Sequence, residues 1–161
     1  MDEKLVLSEK IGKLLLKKKK TVAIAESCTG GLLSSAITDV AGSSNYFGYG
    51  IISYSNEAKI EILGVRESII SQYGAVSKET AVEMAEGVRN LANSDYGLST
   101  TGIAGPGGGT LTKPVGLVFV GFSTVDRKTW IKLNLKGSRH EIRHKTVLEA
   151  LRFFLDELLK E

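Results

Sequence analysis

The stretch AESCTGG, Ala25 to Gly31, sets a carboxylate, two hydroxyls, a thiol and two glycines in one short turn. The run before it, TVAIA, reads as a strand and the run after it, LLSSAITDV, as a helix, so the turn lies where backbone N–H groups open toward a ligand. Two readings of Ser27 stand. Serine is a leading helix N-cap, and it is also a nucleophile wherever a base can take its proton. In the second case the N–H groups of Cys28, Thr29, Gly30 and Gly31 would hold the charge developing on an attacked carbonyl. Cys28 is a rival nucleophile, because a helix N-terminus lowers a thiol pKa. Its lone occurrence beside small residues fits buried packing, which is the preferred reading.

The histidines stand far along the chain, so lysine is also a candidate base. YSNEAK, Tyr54 to Lys59, begins at the end of a second strand and enters a short helix. Lys59 could therefore swing back over the same sheet edge. A lysine base must be neutral near pH 7, which requires burial or a cationic neighbour. From spacing alone, Glu57 and Lys59 read as ordinary surface charges.

Three further groups invite chemistry. HEIRH, His140 to His144, has HExxH spacing on a helical run, with both histidines on the side of Leu151 and Leu158. A zinc site needs a third protein ligand, no HxxGxxH extension follows, and no metal is expected. Arg139 and Arg143, one turn apart, could grip a phosphate or face solvent. TGIAGPGGG, Thr101 to Gly109, lacks both the Walker A lysine and the helix of a dinucleotide fingerprint. It reads as a floor that brings the backbone of Gly102 and its neighbours, with the Thr101 hydroxyl, close to a small flat ligand.

Helical spacing predicts helices over 3–18, 29–40, 56–63, 66–72, 78–92 (N-capped by Ser77) and 138–160. Strands are expected over 21–25, 50–54, the run YGLSTTGIAG, 116–124 and 129–135, the last two joined by VDRK as a hairpin. AGSSNYFGYG reads as a loop. This order suits a three-layer α/β/α sandwich with a mixed, mostly parallel five-stranded sheet and one antiparallel strand. Ligands in such sheets bind beyond the carboxyl ends of the strands, where ESCTGG and TGIAGPGGG fall.

With 161 residues and no linker or repeat, a single domain over 1–161 is expected. No apolar run approaches the ~20 residues of a membrane span, and the charged N-terminus is unlike a signal peptide. A cytoplasmic protein is the expectation. One cysteine excludes an intrachain disulfide, and a net charge of +3 gives no case for nucleic-acid binding. The KKKK run, Lys17 to Lys20, suits a solvated helix end.

Taken in order, AESCTGG, YSNEAK, GAVS, TGIAGPGGG and KPVG closely resemble the nicotinamide-nucleotide amidase family, which also forms the C-terminal domain of CinA (competence/damage-inducible) proteins. The resemblance spans essentially the whole chain; Gly107 stands where some members carry Asp. It implies a mixed five-stranded sheet between helices and deamidation of nicotinamide mononucleotide to nicotinate mononucleotide and ammonia. It further implies Ser27 as nucleophile, Lys59 as general base with Tyr54 beside it, and Arg143 as the final-helix arginine, with Arg139 the alternative. No cofactor and a homo-oligomer are the corresponding expectations. A non-catalytic module that senses a pyridine nucleotide is the alternative.

Overall fold

The computed structural model describes residues 2–161. Six helices, α1 (Glu3–Lys18), α2 (Leu32–Thr38), α3 (Asn56–Glu61), α4 (Glu67–Tyr73), α5 (Lys78–Ala92) and α6 (Arg139–Leu159), accompany five strands. The strands are β1 (Val22–Glu26), β2 (Phe47–Ile52), β3 (Tyr96–Gly102), β4 (Leu117–Ser123) and β5 (Lys128–Asn134), in the spatial order β2-β1-β3-β4-β5. β1 pairs parallel with β2 and β3, whereas β4 pairs antiparallel with β3 and β5. Only β4 therefore runs against the rest, and the sheet is the mixed, mostly parallel one expected.

Alternation along β1 and β3 separates two faces. Val22, Ile24 and Leu98 join the main core with α1, α2 and α6, through Ile11, Leu15, Leu33, Leu151 and Phe154. Ala23 and Ala25 face the other way, toward Met84 and Val88 of α5. On that side the residues are small for a reason. A Cβ at Gly97 would lie 2.0 Å from the Ala85 carbonyl oxygen, and one at Gly121 would lie 2.3 Å from that of Ala81. Helix α5 thus rests on bare backbone, and Ser99 Oγ donates to the Ala81 carbonyl.

Two expected elements shift. The helix foreseen over 29–40 begins only at Leu32 with Gly31 as its cap. Gly30 and Gly31 take positive φ, +57° and +108°, which breaks the helical path before that point. The second strand starts at Phe47 rather than Gly50, and a 3-10 turn, Ser43–Asn45, fills part of the expected loop. Its glycines and edge position leave β2 without the alternation that marks a strand in sequence. Elsewhere the Ser77 cap falls as anticipated, its Oγ accepting from Thr80 N, whereas Ser138, expected inside the last helix, stands outside it and forms a capping box with Glu141 at the start of α6.

Candidate active site

The carboxyl ends of β1, β2 and β3 meet at one edge of the sheet, and there the motifs converge. Ser27 directly follows β1, and its N–H donates to the Thr100 carbonyl of β3 at 3.0 Å. From β2 the chain passes through Ser53 and Tyr54 into α3, whose cap Ser55 accepts from Ala58 N. One turn later Lys59 points inward, with only 1% of its surface exposed. Its Nζ lies 2.9 Å from Ser27 Oγ, 2.8 Å from the Ser53 carbonyl and 3.2 Å from the Tyr54 carbonyl. A neutral amine has two N–H bonds and one lone pair. The ammonium donates to all three oxygens; once neutral, the amine keeps its two N–H bonds on the carbonyls and turns its lone pair to the Ser27 hydroxyl. Burial lowers the Lys59 pKa to about 8.

Glu26 is the residue that sequence reasoning left without a role. It is fully buried. Its Oε1 accepts from the Gly31 and Leu33 N–H groups at 3.1 and 2.9 Å and from the Thr29 hydroxyl; its Oε2 accepts from Ser34 N at 2.9 Å. The carboxylate therefore occupies the positive end of α2. This corrects the expectation that the N–H groups of the helix start are free for a ligand. Gly30 N donates to the Ser27 carbonyl, and Gly31 N to Glu26; the N–H groups of Cys28 and Thr29 stand outside this network. The signal was available: an acid seven residues ahead of a helix turn, on the strand face shared with Ile24, reaches that helix end.

Glu26→Gln should test this arrangement. The amide supplies one acceptor where the carboxylate offers two, and sets N–H against N–H at the other. An unsatisfied buried donor costs about 1–3 kcal/mol, so thermal unfolding followed by circular dichroism should show Tm lowered by roughly 3–10 °C. An unchanged Tm would remove Glu26 as the anchor of the turn.

The remaining candidates divide. Ser27, Cys28, Tyr54, Lys59, Thr101, Gly102 and Arg139 line one cavity of about 200 Å³, together with Asn56, Ala75, Val76 and Ala104. Thr101 Oγ1 donates to the Ala75 carbonyl at 2.8 Å, which leaves its oxygen able only to accept from a ligand. Arg139 spans the mouth, donating to the Gly105 carbonyl at 2.8 Å and to Tyr54 Oη at 2.9 Å. Thr29, Gly30, Gly31 and Arg143 do not line it. The Arg143 guanidinium instead donates to the Cys28 and Thr29 carbonyls at 3.1 and 3.2 Å, holding the turn from behind. Asn56, inside YSNEAK, is the lining residue the motifs contained and the reading passed over.

Cys28 lies in the same wall, but burial pushes its thiol up to about 12, which keeps it protonated and inert. His140 and His144 stack with ring centroids 4.1 Å apart, and His144 Nδ1 faces Lys4 Nζ at 3.0 Å. Desolvation first, then Lys4, His140 and Arg143, lower the His144 pKa. Among the described residues no group of three His, Cys, Asp or Glu could hold a metal ion, and no helix is long and apolar enough to cross a membrane.

A serine held against a buried lysine at the carboxyl edge of an α/β/α sheet defines a hydroxyl–amine site of the kind that can attack a carbonyl. The profile of the CinA C-terminal domain matches residues 4–158, and the chain belongs to that family. It is 61% identical over 145 residues to a competence-damage inducible protein of Thermoanaerobacter pseudethanolicus, covering 90% of this chain and 35% of that one. A CinA-like protein of Endomicrobium trichonymphae is 54% identical over 145 residues, covering 90% and 34%. The chain thus spans about a third of the length of these relatives. Among solved structures, the competence/damage inducible protein CihA from Agrobacterium tumefaciens superposes with a TM-score of 0.94 at 36% identity, covering 97% of this chain and 96% of that one.

Proposed function

We propose that this chain is an amidohydrolase that converts nicotinamide mononucleotide to nicotinate mononucleotide and ammonia. The observation that carries the reading is the 2.9 Å contact between Lys59 Nζ and Ser27 Oγ, beside two further contacts in which the amine donates to the Ser53 and Tyr54 backbone carbonyls. The substrate follows from the motifs shared with the amidase family. Lys59 takes the Ser27 proton as the oxygen adds to the carboxamide carbon, while the N–H group of Cys28, in the cavity wall, receives the oxyanion. The proton then passes to the departing nitrogen, ammonia leaves, and Lys59 activates the water that hydrolyses the nicotinoyl ester. The pyridinium charge makes the amide more electrophilic and disfavours the charged form of Lys59. No step uses a metal or an organic cofactor.

A cavity of about 200 Å³, below the roughly 300 Å³ at which pockets for larger ligands begin, suits a pyridine ring with ribose and phosphate at the mouth. Arg139 stands there, so the phosphate is assigned to it. Removing a charge-assisted hydrogen bond costs about 1.5–3 kcal/mol. Arg139→Ala should therefore raise KM for the mononucleotide roughly 10–100-fold with kcat nearly unchanged. Steady-state kinetics checks this, and an unaltered KM would place the phosphate elsewhere.

The direct test of the function is ammonia release from nicotinamide mononucleotide by the purified chain in the presence of EDTA. Release supports the amidohydrolase reading and metal independence together. Ligand-induced thermal stabilisation without any release would instead make the chain a pyridine-nucleotide sensor.

A further inference from the structure

Helix α5 lies chiefly over β3 and β4, which leaves the β5 edge of that face partly open. Ile131 and Leu133 turn toward the main core, so Trp130 and Lys132 point to the opposite, α5 side of the sheet. There Leu117 and Phe119 of β4 join Ala81 of α5 in a small apolar cluster, with Val76 packed against it. Beside this cluster opens a cavity of about 410 Å³, bounded by the rings of Tyr73 and Trp130, which are 38% and 39% exposed. It is about twice the size of the cavity at Ser27 and shares with it only Val76.

Three lysines from three separate elements converge on the cavity. Lys78, in the first turn of α5, holds its Nζ 5.1 Å from the centre of the Trp130 ring. Lys113, from the loop before β4, donates to the Tyr73 carbonyl. Lys132 stands opposite Phe119 in the register of β4 and β5. Ion pairs among the described residues engage Lys20, Arg66, Arg127, Lys128, Arg152 and Lys160, and none of these three. Glu79 is the one acid that lines the cavity.

We propose that this cavity binds a planar aromatic ring carrying a phosphate monoester, at a site separate from Ser27. Its volume falls within the roughly 300–1,000 Å³ of small-molecule sites, which pair an apolar lining with a few placed polar groups. The aromatic walls and the Leu117–Phe119 floor offer a ring its contact surface. Lysine ammonium groups are point charges suited to phosphate. Three lysines against Glu79 leave a positive excess that matches the charge of roughly −1.5 to −2 on a phosphate monoester at neutral pH. A ligand here and a substrate at Ser27 would touch the same short segment, at Val76, from its two sides.

Trp130 is the only tryptophan of the chain, so its emission, excited beyond the tyrosine band, reports on this cavity. Adenosine monophosphate is the probe: it carries ring and phosphate but no carboxamide for Ser27 to attack, which keeps the outcome independent of the amidase reading. It should quench Trp130 saturably, and adenosine or inorganic phosphate in competition should each bind about tenfold or more weakly. Lys78→Glu and Lys132→Glu should each weaken the monophosphate about tenfold or more. Both should keep their far-UV circular dichroism, because an acid suits the first turn of α5 and Lys132 is exposed. Lys10→Glu makes the same charge change on α1, in the other layer, and should leave the midpoint unaltered. Should a variant misfold, the unmodified chain decides: affinity should fall severalfold between about 0.05 and 0.5 M salt, as the ammonium charges are screened. No saturation at millimolar monophosphate, adenosine binding as tightly as its phosphate ester, or an affinity indifferent to both reversals or to salt would each overturn the proposal.

Discussion

Ser27→Ala should abolish ammonia release, with a fall in kcat of ~10⁴-fold or more, the usual loss on removing a nucleophile that works together with its base. The expectation rests on position. Ser27 follows β1 directly, its N–H is tied to the Thr100 carbonyl, and its hydroxyl meets Lys59 at 2.9 Å. A cap serine would behave otherwise, since its loss costs about 1 kcal/mol of stability and little rate. Here Glu26, not Ser27, receives the N–H groups of α2, so the variant should keep its Tm and its affinity for the nucleotide. Retained turnover in Ser27→Ala would eliminate the acyl-enzyme scheme. Cys28→Ala is the useful contrast, because a thiol held near 12 contributes no thiolate at neutral pH and its loss should leave turnover within about tenfold.

Lys59→Met should lower kcat by about 10²–10⁴-fold, the range spanned by general acid–base catalysis. In the unmodified chain kcat/KM should rise with pH through about 8 and level off above it, because the neutral amine is the base. Stability carries the same signature. Buried Lys59 has a folded pKa below its unfolded value, so the unfolded chain binds more protons between about pH 8 and pH 10.5, and stability rises with pH across that window. Below about 8 the cost of burying the ammonium is fully present. The unmodified chain should therefore gain stability relative to Lys59→Met when moved from pH 7 to pH 9. A flat activity profile from pH 6 to pH 9, or an identical stability gain in both proteins, would show that Lys59 does not titrate as the base.

The fold was largely legible because its signals are local. The five strands and their mixed, mostly parallel sheet followed from alternating helical and strand periodicities, and the hairpin from VDRK between two apolar runs, whereas which strands lie side by side emerged only in the folded chain. β2 was displaced because FGYGII carries two glycines and lies at an edge, where burial does not impose alternation. At the site, YSNEAK and AESCTGG named Lys59 and Ser27, but only tertiary structure brings residues 32 positions apart to hydrogen-bonding distance. The role of Glu26 was missed for a related reason: a buried carboxylate is recognised by its donors, and those belong to residues five, seven and eight positions onward. The different placement of Arg139, in the cavity wall, and of Arg143, against the back of the turn, was equally hidden. The two arginines share a helix and a spacing, and what separates them is which carbonyls stand opposite.

The bare backbone under α5 bears on how this sequence can vary. Gly97 and Gly121 touch nothing that reacts, yet each lies where a single added carbon would strike a main-chain carbonyl of α5. Displacing α5 would drag along Ser77, its cap, and with it Ala75 and Val76 in the cavity wall. Scored by turnover across all substitutions, both glycines would thus stand beside Ser27 among the least replaceable positions, one group selected for chemistry and the other for clearance. Mutational tolerance in this chain is set as much by the distance between a helix and its sheet as by the reacting atoms.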